Sequence, residues 1–390
     1  MSISSVSPSF PVSSGEIPIL NLERLEMIAR RHAWLNDFLR EEHLDGLLIR
    51  QPANFSWFTA GGDNTCHGNS QHPVAALLLT PDARVILCNN IDSGQLFDQE
   101  LMGLGFLLKE RPWTESPDIL QQDVCRGRSI ASDSVIPEIE TRVVDLAAFR
   151  MTLEQQEIEA LRELSRDLAH ALEATARNFE KGATEAEIAG HLSHRLIKRQ
   201  IEPVCLQVLA DGQGWRYRHW SYGKETVERS CVLSATGRRK GLHSGASRTV
   251  SMGPPTEELQ RTHGLATLLL ATGIHFSQAG WPVEETWKRV LRIYEKFDVP
   301  DEWRCARQAD FVGYSAMEQT VVPASAQVLK SGMALHWHPS VRGAFAGDTM
   351  LVTPHGQELL TTSQNWPTVA VRVKDTTLEL PSLLIREFAP

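Results

Sequence analysis

A histidine suited to proton transfer lies in a short run of aromatic and cationic residues. His219 follows Trp215, Arg216, Tyr217 and Arg218. An imidazole exchanges protons near neutral pH, so His219 is the first candidate for a catalytic group. Trp215 is a candidate for substrate contact, and Arg216 or Arg218 can hold a substrate carboxylate through paired hydrogen bonds. The alternative is a packed surface loop in which the arginines stack on the aromatic rings.

A second pair of histidines alternates with a tryptophan. His336 and His338 flank Trp337 in a segment typical of a strand. Residues two apart on a strand share a face, so both imidazoles can point into one pocket with Trp337 behind them. His243 would be the third ligand if these residues formed a metal site. The plainer interpretation is polar pocket lining or surface pairing, and we expect no metal and no other cofactor.

Composition excludes several classes of protein. The chain has 390 residues and a formal net charge of −9, which argues against a general nucleic-acid binder and against an anionic membrane as the main partner. No apolar run approaches the roughly 20 residues of a membrane helix. The six cysteines show neither a Cys-x-x-Cys pair nor zinc spacing, so free thiols are expected. These features predict a cytoplasmic protein.

Hydrophobic periodicity predicts two domains after a flexible, Ser- and Pro-rich arm at 1–18. An amphipathic helix over 22–42 precedes strands at 46–49, 75–79 and 85–88, which indicates an α/β domain over 19–149. A turn is predicted at 51–54.

The second domain, 150–390, is predicted to be α+β. A helix begins near Thr152, and Thr184 with Glu187 forms a capping box that starts the next one. Arg238 to Lys240 is typical of a hairpin tip. Further helices are expected at 256–271 and 282–297, with Pro282 in the first turn, and strands at 204–209, 230–234, 247–252, 334–337, 348–353 and 368–373.

The order of these segments resembles the pita-bread superfamily of creatinase, aminopeptidase P, prolidase and methionine aminopeptidase. The resemblance covers nearly the whole chain after the arm and implies that fold. Its landmarks include Asn90 to Gln95, which is similar to the creatinase branch, Gly182 to Glu185, Ser247 to Thr249, Gly332-Met333, and Asp348 to Thr353.

The resemblance also implies which positions would hold metal. Peptidases of this fold bind two metal ions through Asp, Asp, His, Glu and Glu, and the ions activate a bridging water. In this chain the corresponding positions fall at or near Ala235, Gly245, Tyr314, His338 and Gly347. None keeps its ligand, so the sequence predicts a divergent member without the dinuclear centre.

One polar position of the family pattern remains. His219 stands where creatinase, which works without metal, has its proton-transfer histidine. Creatinase has carboxylates, which recognise a guanidinium, where this chain has Ser247 and His338. The match therefore favours His219 as the catalytic residue and argues against creatine as the substrate.

The resemblance points to further pocket residues. Tyr314 and Glu318 follow a turn in the region that lines the family's pocket, and Glu318 is the nearby acid that can replace a lost carboxylate. Asn64 and His67 lie in a long polar loop, which in creatinase-like dimers reaches the partner's pocket. We therefore expect a homodimer that binds a small molecule.

Three functions remain open. The first is a metal-independent, creatinase-like hydrolase or lyase that acts on a small C–N-containing substrate. The second is a catalytically degenerate protein with a binding or scaffolding role. The third is an Xaa-Pro-type metallopeptidase with relocated ligands.

Overall fold

The computed structural model describes residues 21–66, 69–138, 141–362 and 365–387. It divides the chain into two compact units, the first ending at Val144 and the second beginning at Asp145. The arm at 1–18 lies outside the described residues.

The first unit is an α/β domain, as predicted. Its helices are α1 (Leu22–Glu41), α2 (Pro52–Phe58), α3 (Ser93–Gln95), which continues as a π-helical turn at Leu96–Glu100, and α4 (Pro117–Cys125). Its strands are β1 (Gly46–Ile49), β2 (Thr65–Cys66), β3 (Asn69–Pro73), β4 (Ala75–Leu79), β5 (Arg84–Asn89), β6 (Leu107–Arg111), β7 (Ile130–Ser132) and β8 (Arg142–Val143).

A mixed six-stranded sheet forms the centre of this unit, in the order β6-β5-β4-β1-β7-β8. Strands β1 and β4 are buried along their whole length, which explains their continuous apolar sequence. The predicted turn at 51–54 is wrong, because Pro52 begins helix α2. Proline is favoured at the first helical position, since its missing N–H would have no partner there.

The second unit is α+β, also as predicted. Its helices are α5 (Ala147–Arg150), α6 (Gln155–Asn178), α7 (Glu185–Ile197), α8 (Glu257–Phe276) and α9 (Val283–Lys296), with 3₁₀ turns at Gln213–Trp215 and Glu302–Cys305. Its strands are β9 (Glu202–Ala210), β10 (Ser230–Arg239), β11 (Leu242–Met252), β12 (Ala309–Val312), β13 (Gln319–Thr320), β14 (Ala334–Trp337), β15 (Ser340–Val341), β16 (Ala344–Phe345), β17 (Asp348–Thr353), β18 (Gly356–Leu359), β19 (Thr368–Val373), β20 (Thr376–Pro381) and β21 (Leu384–Arg386).

Two sheets of this unit carry the candidate polar residues of β10, β11, β12 and β14. One has the order β21-β11-β10-β9 and the other β13-β12-β14-β17-β18. Strands β10 and β11 pair from Ser230↔Ser251 to Arg239↔Leu242, so the predicted hairpin tip is confirmed. Lys240 and Gly241 form the tip with positive φ angles of 49° and 79°.

Local sequence signals set the ends of the helices. The predicted capping box is confirmed, since Thr184 accepts from the Glu187 N–H and Glu187 accepts from that of Thr184. Pro282 is the N-cap of α9 and therefore precedes the helix rather than lying in its first turn. In the part of the chain that the structure describes, no helix is both long and apolar enough to cross a bilayer.

Candidate functional site

A cavity of about 220 Å³ lies in the second unit, where the two sheets meet. Strands β10, β11, β12 and β14 each contribute side chains, and the loops before β10 and β12 close the side. The residues that line it are Cys205, Gln207, Arg218, His219, Ser234, Ala235, Thr236, Ser247, Ala306, Arg307, Asp310, Ala316, Met317, His336, His338 and Phe345.

Two serines face the cavity from the β10–β11 hairpin. Ser234 and Ser247 are directly opposed in the antiparallel register, and their hydroxyl oxygens lie 2.5 Å apart. The backbone N–H of Ser247 donates to the carbonyl of Gly347 at 2.8 Å, which ties this hairpin to the loop before β17. The serines therefore present uncharged hydrogen-bonding groups in a fixed position.

The alternation of His336, Trp337 and His338 places both imidazoles on one face, as predicted. Their ring centroids lie 4.9 Å apart, and both rings line the cavity. Trp337 points the other way, into the hydrophobic core, and its indole N–H donates to the Ser277 hydroxyl at 3.1 Å. The buried indole fixes the strand and thereby the direction of the two histidines.

His336 occupies the space in front of Gly245. A Cβ at position 245 would lie only 2.4 Å from the Cε1 atom of His336, so any larger residue there would displace the ring. Burial lowers the pKa of His336 to about 3, with a smaller contribution from the neighbouring His338. The imidazole is therefore neutral at neutral pH. Its Nε2 atom is buried and has no hydrogen-bond partner among the described residues.

His338 is oriented by an acid. Its Nε2 lies 3.0 Å from Oδ2 of Asp310, and the other carboxylate oxygen of Asp310 accepts from the Thr320 hydroxyl at 2.7 Å. Burial by itself would raise the pKa of Asp310, but the hydrogen bond and charge of His338 and the hydrogen bond from Thr320 hold it below its usual value. Asp310 is therefore ionised and fixes the imidazole of His338.

His219 lies at the open side of the cavity. It follows the 3₁₀ turn at 213–215 and also lines a neighbouring surface groove with Trp215, Arg216, Tyr217, Arg218, Trp220 and Cys305. Partial burial lowers the pKa of His219, and the charges of Arg307 and His338 lower it further. A neutral imidazole at neutral pH can accept a proton from a bound water or substrate.

The two arginines of the cavity differ in their partners. The guanidinium of Arg218 donates to Glu302 and to the hydroxyl of Ser340, both at 2.9 Å, so its role is to fix the loop. Arg307 contacts the thioether of Met317. Among the described residues, no carboxylate forms an ion pair with Arg307.

Several residues predicted for the site lie elsewhere in the second unit. Tyr314 is buried and donates to Oε1 of Glu157 at 2.6 Å. Glu318 is buried against Arg150, with 2.6 Å between its Oε2 and Nη2 of the arginine. Neither of these two residues lines the cavity.

The remaining predicted residues are also outside the cavity. The Nδ1 atom of His243 lies 3.3 Å from the carbonyl oxygen of Gly313 in the interior. Trp215 and Arg216 belong to the neighbouring groove, where Arg216 stacks on Tyr217. Asn64 lies in the first unit and donates to the carbonyl of Ala75 at 2.8 Å. His67 lies outside the described residues.

Sequence analysis missed several polar residues of the cavity, among them Asp310, Arg307 and Ser234. Strand β12 has only four residues and was not predicted, although its sequence Ala-Asp-Phe-Val is compatible with a short strand. Asp310, and not Glu318, is the acid that reaches the cavity. The alternation of Asp310 with a buried Phe311 was the available signal.

The resemblance implies a two-metal centre at or near Ala235, Gly245, Tyr314, His338 and Gly347. At positions 235, 245 and 347 the side chains offer no ligand atom. The space is also filled, since a Cβ at Gly347 would lie 2.8 Å from the Ser247 hydroxyl oxygen. Within the described ranges, no group of three or more His, Cys, Asp or Glu residues is placed to hold a metal ion.

The buried histidines predict a pH-dependent stability. Burial lowers the pKa of His243 and His263 to about 4, and that of His336 to about 3. Below pH 6.5 these histidines take up protons in the unfolded chain but stay neutral in the folded chain. Their full contribution to the free energy of unfolding is therefore present above pH 6.5 and decreases on acidification. Each histidine contributes about 1.4 kcal/mol per pH unit in this window.

Urea titrations between pH 7 and pH 5 measure this slope. Replacement of His263 by Leu should reduce the slope by the contribution of one buried histidine, which is about 1.4 kcal/mol per pH unit. A free energy of unfolding that is constant over this range would contradict the burial of neutral histidines.

Comparisons with known proteins place the chain in a family. Residues 159–377 match the model of metallopeptidase family M24. An uncharacterized peptidase of Staphylococcus haemolyticus is 22% identical over 343 residues, which are 83% of this chain and 96% of the relative. The match to the family model spans more than half of the chain.

Solved structures support the same relationship at the level of the fold. Dipeptidase PepE from Mycobacterium ulcerans superimposes with a TM-score of 0.73 at 16% identity, over 93% of this chain and 99% of that one. The Xaa-Pro dipeptidase from Bacillus anthracis gives a TM-score of 0.71 at 16% identity, over 94% and 99%. The two-domain, pita-bread architecture agrees with the match to the family model. The chain therefore belongs to metallopeptidase family M24.

Proposed function

We propose that this member of the family is a metal-independent hydrolase or lyase that acts on a small C–N-containing substrate. The observation that carries the proposal is a cavity lined by three histidines and an aspartate, which are His219, His336, His338 and Asp310. His219 and the His338–Asp310 pair line one cavity, and small residues stand where the family's acids would be. Imidazoles of this kind perform general acid–base chemistry without a metal.

The chemistry assigned to His219 is a proton transfer between water and a leaving nitrogen. In hydrolysis, His219 accepts a proton from water as the water oxygen bonds to the substrate carbon. The C–N bond then breaks, and the same proton passes to the nitrogen. In the lyase alternative, His219 accepts a proton from the carbon next to the C–N carbon, a C=C bond forms as the C–N bond breaks, and the proton passes to the leaving nitrogen. His338, held by Asp310, binds and orients the substrate in both cases.

A binding role without catalysis is the second candidate. It is favoured by the close packing around Gly245 and Gly347, where His336 and Ser247 occupy the space that a larger side chain would need. The names of the similar structures, dipeptidase and Xaa-Pro dipeptidase, support the third candidate, a metallopeptidase with relocated ligands.

A ligand screen followed by a turnover assay separates these functions. Small amines, amides and carboxylates are first tested by thermal shift, and each stabilising compound is then incubated with the protein while amine or ammonia release is measured. Release from a stabilising compound supports the hydrolase or lyase. Stabilisation without product, across all the compounds that bind, supports the binding protein.

Elemental analysis tests the metal independence. We expect less than one equivalent of manganese, zinc or cobalt per chain after gentle purification, because Ala235, Gly245 and Gly347 have no ligand atoms. Added manganese should produce no cleavage of Xaa-Pro dipeptides. Two equivalents of metal per chain would contradict the proposal, and one equivalent would favour a site built on His336 and His338.

A homodimer is the assembly that we propose. The segment at 60–70 has the polar composition of a surface segment, and by analogy with creatinase it would cover the partner's pocket. Sedimentation should therefore give about twice the chain mass of 43.6 kDa. A monomer at micromolar concentration would contradict this assembly.

A further inference from the structure

Arg307 gives the cavity a cation that forms no ion pair in the part of the chain that the structure describes. Its side chain is exposed at the cavity wall, and its contact is the weakly accepting sulfur of Met317. The charge acts on the catalytic groups, because it lowers the pKa values of both His219 and Asp310. A guanidinium in this position is suited to a carboxylate ligand.

The floor of the cavity, formed by His336, Ser234 and Ser247, carries no charge, in contrast to the wall at Arg307. His336 is neutral, and its Nε2 is buried without a partner among the described residues. The Ser247 hydroxyl is close to it, since a Cβ at Gly347 would lie 2.8 Å from that oxygen and 3.4 Å from Nε2 of His336. A buried polar atom without a partner is costly, so a ligand that hydrogen-bonds to this nitrogen gains affinity. The floor therefore suits a neutral group that both donates and accepts hydrogen bonds.

The cavity offers little to a cationic group. Among the described residues that line it, Asp310 is the one with a carboxylate. Both oxygens of this carboxylate are engaged, one by His338 and the other by Thr320. A guanidinium or ammonium group at the floor would meet neutral side chains, with the uncompensated cost of its desolvation.

We propose that the cavity binds a small monocarboxylate whose other end is a neutral amide or urea. The carboxylate lies against Arg307, and the neutral group lies on His336 and Ser247. A volume of about 220 Å³ limits the ligand to a small molecule. This inference rests on the proposed function, since it names the substrate class of the same site.

A pair of nearly isosteric ligands tests the inference by isothermal titration calorimetry. N-carbamoylglycine has a carboxylate and a neutral urea, and guanidinoacetate has the same carboxylate with a cationic guanidinium. We expect N-carbamoylglycine to bind at least about tenfold more tightly than guanidinoacetate and than N-methylurea, which has no carboxylate. Equal or tighter binding of guanidinoacetate would overturn the inference, as would the absence of binding by N-carbamoylglycine at millimolar concentration.

A matched pair of arginine variants assigns the carboxylate site. Arg307→Gln should weaken N-carbamoylglycine at least about tenfold. Arg304→Gln, three residues earlier and paired with the exposed Asp301, should leave the affinity unchanged. An unaltered affinity in Arg307→Gln would overturn the assignment.

The same titrations in the His219→Asn variant separate binding from catalysis. If the ligand preference persists there and the wild-type protein turns over none of the ligands, the ligand class stands and the hydrolase proposal fails. If turnover is found on compounds with cationic heads, the hydrolase proposal stands and the ligand class fails.

Discussion

His219→Asn should lower kcat by about 10²–10⁴-fold on the substrate that the ligand screen identifies, which is the usual contribution of a general acid–base group. His219 is partly exposed at the open side of the cavity, and its lowered pKa keeps the imidazole neutral and able to accept a proton. Asparagine keeps much of the shape and polarity but cannot exchange protons. Steady-state kinetics measure the effect, and the thermal unfolding midpoint should be close to that of the wild type.

Two companion variants make this result specific. His338→Asn should raise KM more than it lowers kcat, because we propose that His338, held by Asp310, positions the substrate. The exposed His355→Asn, on the turn between β17 and β18, should behave as the wild type. Full turnover by His219→Asn would show that the mechanism drawn from creatinase is incorrect, although the fold would be unaffected.

The Arg248→Met variant should reduce the free energy of unfolding by about 3–5 kcal/mol. The guanidinium of Arg248 is completely buried, with Nε 2.9 Å from Glu173 and Nη1 2.9 Å from Asp348. It also donates to the carbonyl of Thr361 at 2.7 Å. Methionine would fill similar space but leave two buried carboxylates without their counter-charge.

Urea unfolding, followed by tryptophan fluorescence, measures this loss. Arg261→Met is the matched control in the same unit, because its ion pair with Glu258 is about half exposed and such pairs contribute at most about 1 kcal/mol. If the two variants were equally stable, the buried ion pairs of Arg248 with Glu173 and Asp348 would not be what stabilises the packing of β11 against α6 and β17.

Local signals made much of the fold predictable. The long amphipathic helix at 155–178, the Thr184 capping box and the hairpin tip at Lys240 each depend on residues close in sequence. The turn predicted at Pro52 failed for a related reason, because proline favours both a turn and the first residue of a helix.

The cavity was predictable only in part, because its contacts join distant segments. Strand alternation placed His336 and His338 on one face, and this is a local property. The contact of His336 with Gly245 and the pairing of His338 with Asp310 depend on how separate strands meet. A four-residue strand such as β12 gives a weak periodic signal. The sequence therefore does not show whether Asp310 lies on a strand or in a loop.

We propose that this cavity performs C–N chemistry without a metal ion. The most direct measurement is amine or ammonia release from the identified substrate by protein treated with a strong chelator, compared with the same protein after addition of manganese, zinc or cobalt. We expect equal kcat in all samples, with the activity lost in His219→Asn. Activity that disappears with the chelator and returns with one of these metals would contradict it.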